Sequence, residues 1–449
     1  MRTLPILLRT LPILLFVCSL FSACSLTTKV QTSAQKFVLR DSSLLTAHIG
    51  ISIFEPATGK WWYNHQGDKY FVPASNTKIA TCYAAMKYLG DSLVGARYVL
   101  DKDGAVELFP SSDPTFLHPE FTNQPVYSFL KKQKRLRWNV TGWQDERWGS
   151  GWSWNDYDAA YMAERSPLPV YGNVMRIRLK GEQFTMQPYP LMFSYDTTLQ
   201  YSPATGTMKS KNFRIDRELD ENNIHLKMSS QAFSDVQIPM RMGVNFVSRL
   251  LKDTLHTDNV STFTTMPGFK DTQAKTLIRS QPTDSLLRPL MHRSDNFFAE
   301  QALLMVSNKV LSFMSDEKII DTILKTDFAD LPQKPRWADG SGLSRYNLFT
   351  PQDFVVILNK MKTEFGMARI REILPTGNEG TLSNYYKSDS TALYAKTGTL
   401  SGVVALSGFL TTVKGRELIV SVLVNNHQSS ATQVRRAVER FIQNLRRRY

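Results

Sequence analysis

Three short stretches carry side chains suited to acyl-transfer chemistry. In "PASNTK", residues 73 to 78, the hydroxyl of Ser75 stands three positions before the amine of Lys78. At i and i+3 on a helix the two share a face, so a Lys78 relieved of its proton by burial and a nearby cation could activate Ser75 as a nucleophile. In "RSDNFFAE", Ser294 offers a hydroxyl that can relay a proton and Asn296 an amide that both donates and accepts, while Asp295 suits bonding to local backbone. In "YAKTGTLSG", Lys396 and Thr397 supply a cation and a hydroxyl for an anionic substrate end, and Gly398 admits close approach to the backbone. Taken singly, each has an ordinary structural explanation: a serine-capped helix start, a polar helix N-terminus, and an edge strand entering a turn.

The surrounding pattern supplies elements to position them. "AHIGISIFEP", the turn "ATGK" and the alternating "WWYNHQ" read as two strands before Ser75, and "KIATCYAAMKYLG" reads as a helix closed by Gly90. Between about 91 and 275 the texture changes to short β-like runs such as "ARYVLDKDGAVELF", "NVMRIRLKG", "IHLKMSS" and "STFTTMPGF", with the aromatic-rich "GWSWNDY" among them. Helical periodicity returns at "SLLRPLMHRSDNFFAEQALLMVSNKVL" and around "TPQDFVVILNKMKTEF". The chain closes with a hairpin, "VVALSGFLTT" and "ELIVSVLVNN", and the amphipathic helix "TQVRRAVERFIQNLRRR". Strands at both ends around a helical middle imply an α+β fold with one antiparallel sheet built from distant segments.

The order S-x-x-K, S-D-N, K-T-G is the set shared by penicillin-binding proteins and class A β-lactamases, and the chain resembles that superfamily. Ser294 lies 219 residues after Ser75, more than a compact β-lactamase needs, so a sizeable insertion separates the first two motifs. "SSDPTF" (111 to 116), "GWSWNDY" (151 to 157), "SDNFFAEQ" (294 to 301), "DGSGLSRYN" (339 to 347) and "GTLSN" (380 to 384) narrow the resemblance. They are similar to D-alanyl-D-alanine carboxypeptidase/endopeptidases of the penicillin-binding protein 4 (DacB) type, the class C low-molecular-mass group, from about residue 45 to 449. The chain departs from its relatives at Ser111 and Ser112, where glycines are usual, and matches loosely over 175 to 265.

The resemblance implies a transpeptidase-like domain, an antiparallel sheet flanked by helices, formed by 45–92 and 275–449, with a β-rich insertion over 93–274. It implies a penicillin-sensitive acyl-enzyme on Ser75, formed from the terminal D-Ala-D-Ala of peptidoglycan stem peptides, and possible cleavage of their cross-links by the same route. Lys78 would be the base and Ser294 the relay to the leaving D-alanine. Asn296 would position the substrate amide, Lys396 and Thr397 its carboxylate, and the N–H groups of Ser75 and Thr399 the oxyanion. The loop 339–345 would border the cleft, with Asp339 or Arg345 near a longer peptide. β-Lactam antibiotics would be inhibitors. A β-lactamase-like hydrolase and a non-catalytic wall-binding module are the alternatives; three intact motifs speak against the second.

Bulk properties agree with an exported protein. Residues 1–23 hold Arg2, Arg9 and an apolar run from Leu11 to Ala23, too short to span a bilayer and suited to a secretory signal. Phe21-Ser22-Ala23-Cys24 resembles a lipoprotein box, so Cys24 is expected to be acylated and to anchor the chain to a membrane in the bacterial envelope, on the periplasmic side, through a polar tether or first helix over 24–44. Cys18 would leave with the signal and Cys82 would remain as a small buried residue, which leaves no internal disulfide. The formal charge of +14 suits anionic envelope polymers; export argues against nucleic acid as the partner of "KKQKRLRW" (131 to 138). The seven histidines show no H-x-x-x-H spacing, and neither metal nor cofactor is expected.

Overall fold

Val403–Thr411 (β4) and Glu417–Asn425 (β5) are buried at nearly every position, as strands covered on both faces must be. In the computed structural model, which describes residues 26–189, 192–263 and 275–449, they are interior strands of a five-stranded antiparallel sheet. The others are His48–Glu55 (β1), Lys60–His65 (β2) and Leu393–Leu400 (β3), in the spatial order β3-β4-β5-β1-β2. The chain's two ends therefore meet along β1 and β5, Ile51 opposite Val422 and Ile49 opposite Val424. The α+β expectation of a sheet assembled from distant segments is met here.

The helix Ala431–Arg448 covers one face of this sheet. Ser430 and Gln433 close its first turn as a reciprocal capping box, and Val434, Ala437, Val438, Phe441, Ile442 and Leu445 recur at three- and four-residue spacing along its buried side. They pack with Val404, Leu406, Val422 and Ile51. Residues 26–39 are helical too; Val30, Ala34 and Val38, spaced by four, are fully buried in the same cluster, and Ser33 Oγ donates to Asn444 Oδ1 at 2.8 Å. Much of the segment expected as a tether or first helix is thus a docked helix. The helix Pro351–Ile373, capped by Thr350 and Asp353, packs against β1, β4 and β5.

By backbone contacts the chain divides into two compact units. The first holds this sheet, the described residues up to Ile79, Asp330–Arg336 and Asn347–Tyr449; the second is Ala80–Ala329 with Trp337–Tyr346. The second is rich in short strands, as the texture between 91 and 275 suggests. One sheet runs in the order Val260–Phe263, Leu136–Asn139, Val106–Pro110, Ser92–Leu100, Thr276–Pro282. Two further sheets use strands between Val174 and Pro239. Because Thr276–Pro282 pairs with Ser92–Leu100, the helices Thr283–His292 and Asn296–Leu311 continue from that sheet and fall in the second unit. The sequence reading instead grouped 275–329 with the first. The expected strand "STFTTMPGF" is described only to Phe263, and the signal segment and Cys24 lie outside the described residues.

Candidate active site

The motifs divide between the units: Ser75, Lys78, Lys396, Thr397, Gly398 and Thr399 belong to the first, Ser294 and Asn296 to the second. In the first unit, Asn425 clamps the chain entering the Ser75 turn, its Oδ1 accepting from Val72 N at 2.8 Å and its Nδ2 donating to Val72 O at 3.0 Å. Ala74 then takes a φ of 48°, a left-handed conformation uncommon for a residue with a Cβ. Ala74–Thr77 form a single 3-10 turn, and the α-helix Lys78–Tyr88 begins directly after it. Ser75 is therefore carried in the tight turn before the α-helix. The spacing still works: Lys78 Nζ donates to Ser75 Oγ at 3.0 Å, with Ser75 half-buried and Lys78 fully buried.

Strand β3 meets this turn. Lys396 pairs with Ser407 and Gly398 with Ala405 on β4, so Lys396 and Gly398 share a face. A Cβ built on Gly398 would lie 2.6 Å from Pro73 O and 3.1 Å from Ser75 N, so only a bare backbone fits. The same approach sets Lys396 beside Lys78. Burial first, then the charges of Lys78 and Arg435, hold Lys396 well below the ordinary lysine range; its Nζ donates to Thr397 O at 2.7 Å. The repulsion is mutual, so the buried pair carries one charge more readily than two.

Thr397 and Thr399 alternate to the face covered by the C-terminal helix. Thr397 Oγ1 donates to Thr381 Oγ1 at 2.7 Å, and Thr399 Oγ1 accepts from Arg435 Nη2 at 2.5 Å. β3 is an edge strand, and Ala395 N–H points away from β4 to bond Pro375 O at 3.0 Å. With a period of two, the N–H groups of Thr397 and Thr399 point the same outward way, available to an extended ligand. Arg435, Asn425 and Asn76 were not anticipated. Asn76 Nδ2 donates to Ser407 Oγ at 2.7 Å, and Ser407 and Ser421 share a 2.8 Å hydrogen bond. This buried polar row lies in register with Lys396 on β3 and Ser52 on β1.

In the second unit, Ser294 has a φ of 63° and forms the hinge between the helices Thr283–His292 and Asn296–Leu311. Asp295 has the structural role expected of it: as N-cap, its Oδ1 accepts from Phe298 N at 2.9 Å, and Arg293 bonds its other oxygen and also Glu120. Asn296 Nδ2 donates to Tyr161 O at 3.0 Å. The loop 339–345 is organised by the buried Asp339, which accepts from Gly342 N and Ser344 N, each at 2.7 Å, and from Trp152 Nε1 at 2.9 Å. Glu300, on the helix that Asn296 starts, accepts from Ser341 N at 2.7 Å. Burial, and then the Asp339 charge, push Glu300 up to about 8, with Arg165 3.5 Å away opposing them. Among the described residues no three His, Cys, Asp or Glu side chains are grouped as metal ligands.

Two outcomes follow from this geometry. Gly398→Ala must displace the Pro73 carbonyl or the strand, and acylation by a fluorescent penicillin is expected to slow by roughly 100-fold with the circular dichroism spectrum unchanged; unaltered labelling would show that the contact is unimportant. Glu300 holds its proton more tightly folded than unfolded, so its contribution to stability is present at low pH and is lost as pH rises toward about 8. Urea unfolding of Glu300→Gln between about pH 5 and 8 should show a flatter pH dependence than the parent, and an identical slope would contradict the assignment.

Over 440 residues the chain is 26% identical to a D-alanyl-D-alanine carboxypeptidase of Actinomadura sp., covering 88% of this chain and 80% of that one. It is 22% identical over 418 residues to the D-alanyl-D-alanine carboxypeptidase DacB of Haemophilus influenzae, covering 82% and 83%. The crystal structure of penicillin binding protein 4 (dacB) from Haemophilus influenzae shares the fold, with a TM-score of 0.69, 19% identity and coverage of 93% of this chain and 98% of that one. With a family profile matched from residue 32 to residue 445, the chain belongs to the D-Ala-D-Ala carboxypeptidase 3 (S13) family.

Proposed function

We propose that the chain is a serine-type D-Ala-D-Ala carboxypeptidase acting on peptidoglycan stem peptides through an acyl-enzyme on Ser75. The observation that carries this reading is the 3.0 Å contact between Ser75 Oγ and the buried Lys78 Nζ, beside a second buried lysine whose charge is disfavoured. Lys78 takes the Ser75 proton as Oγ attacks the penultimate D-alanine carbonyl. The developing oxyanion is met by the N–H groups of Ser75 and Thr399. Ser294 passes the proton to the leaving D-alanine nitrogen, Asn296 holds the substrate amide, and water then hydrolyses the ester. The substrate's extended backbone lies along the free edge of β3. Its carboxylate is received by Thr397 and Lys396; the incoming anion favours the pair's single proton on Lys396, which leaves Lys78 free to act as the base, and Arg435 adds positive charge from the C-terminal helix.

The domain reading that goes with this mechanism takes 45–92 and 275–449 as the acyl-transferase and 93–274 as an insertion. β-Lactams, which mimic the D-Ala-D-Ala amide, acylate the same serine. A relative's crystal structure in complex with a β-lactam, 17% identical with a TM-score of 0.65, supports the fold that this requires. We further propose that residues 1–23 are an export signal and that acylated Cys24 tethers the enzyme to an envelope membrane. Among the described residues no helix is long and apolar enough to cross one.

Incubation with fluorescent penicillin should label the protein and not Ser75→Ala, and pentapeptide muropeptides should release D-alanine at a rate that falls by roughly 1,000-fold or more in that variant. Persistent labelling of Ser75→Ala would overturn the assignment, and rapid turnover of penicillin would favour a β-lactamase. Radiolabelled palmitate should enter the parent chain and be absent from Cys24→Ser; equal incorporation in both would reject the anchor.

A further inference from the structure

A cavity in the second unit, away from every residue of the proposed mechanism, is lined by three cations and, among the described residues, by no acid. It measures about 230 Å³ and lies between the strands Ser92–Leu100 and Thr276–Pro282 and the helix Asn296–Leu311. Arg97 stands directly opposite Leu277 in the strand pair, and Arg279, two residues beyond Leu277, shares that face. Lys309 follows from the helix, where Met305, Asn308 and Lys309 fall on one side at i, i+3 and i+4.

Among the described residues, the two arginines are bonded only to neutral groups. The half-buried Arg97 donates from Nη1 to Asn308 Oδ1 at 2.9 Å, and Arg279 donates to Ser92 O at 2.8 Å. No ion pair joins Arg97, Arg279 or Lys309 to a carboxylate among the described residues, and burial alone holds Arg97 below the ordinary arginine range. Of the lining residues, Tyr88 bonds an acid, Asp327, at 2.6 Å, and Lys87 already neutralises it at 2.6 Å. A guanidinium removed from water without an anion is unfavourable, yet here it faces a space in which two more cations converge.

We propose that this cavity is an anion site that takes a phosphate group, held by Arg97 from within and by Arg279 and Lys309 at its mouth. Two guanidinium forks match the oxygens of a tetrahedral oxyanion in bidentate fashion, and three cations balance a dianion better than a single carboxylate. Leu277, 45% exposed, places an apolar side chain at the same opening, so the phosphate could be free or could belong to a lipid headgroup.

Thermal unfolding of the full chain in inorganic phosphate, against chloride at matched ionic strength, tests the site. Phosphate should raise the Tm saturably, with apparent affinity at least about tenfold weaker in Arg97→Gln and in the exposed-site variant Lys309→Gln, and with D-alanine release unchanged in both. Sedimentation with phosphatidylglycerol or phosphatidylcholine vesicles separates the sources. Capture by the anionic vesicles that depends on Arg97 assigns the phosphate to a lipid headgroup, and phosphate stabilisation without such capture assigns it to a free ion. Absence of any Arg97-dependent effect of phosphate or anionic vesicles, or a phosphate effect retained in both variants, would overturn the proposal.

Discussion

Gly398 brings the backbone of an edge strand against the turn that carries Ser75, and the chemistry proposed for Ser75 depends on that approach. A side chain at this position would strike Pro73 O and crowd Ser75 N. Because Lys396 lies two residues earlier on the same face, the contact that seats the Ser75 turn also seats a second lysine amine near Lys78. One packing constraint thus links a positioned hydroxyl, a buried amine and the electrostatic penalty that discourages both lysines from being charged at once.

The sheet behind the site is built to keep this arrangement fixed. Asn425, at the end of β5, holds both backbone groups of Val72, and Asn76 is bonded to a pair of serines buried in the sheet. Buried polar groups of this kind are costly if left unmet and define a single arrangement when satisfied. The left-handed Ala74 is tolerated where the chain on either side is held in this way, a local strain placed next to Ser75, the proposed nucleophile.

Local signals in the sequence were reliable for what local physics decides. The apolar runs of β4 and β5, the alternation of β2 and the periodicity of the C-terminal helix specify those elements, and the three motifs in order point to the chemistry. What could not be read were contacts between positions far apart in the chain. Nothing local to Asn425 announces that it grips Val72, 353 positions away, and Arg435 is one of 54 lysines and arginines until the helix lays it on Thr399. Ser75, expected at the helix start, sits in the 3-10 turn directly before the α-helix, and Ala74 there takes a positive φ that no residue type at that position requires. The pairing of Thr276–Pro282 with Ser92–Leu100 likewise draws the following helices into the strand-rich unit, a long-range registry that periodicity does not encode.

The central claim is that two mutually repelling lysines supply the base for Ser75, and the pH dependence of the penicillin acylation rate constant tests it most directly. An acidic limb is expected, the rate rising as the lysine pair loses a proton, with an apparent pKa well below the roughly 10.4 of an ordinary lysine, and that limb should move to higher pH in Lys396→Met, where the repulsion is gone. A limb at the ordinary lysine value, or one that stays in place when Lys396 is replaced, would contradict it.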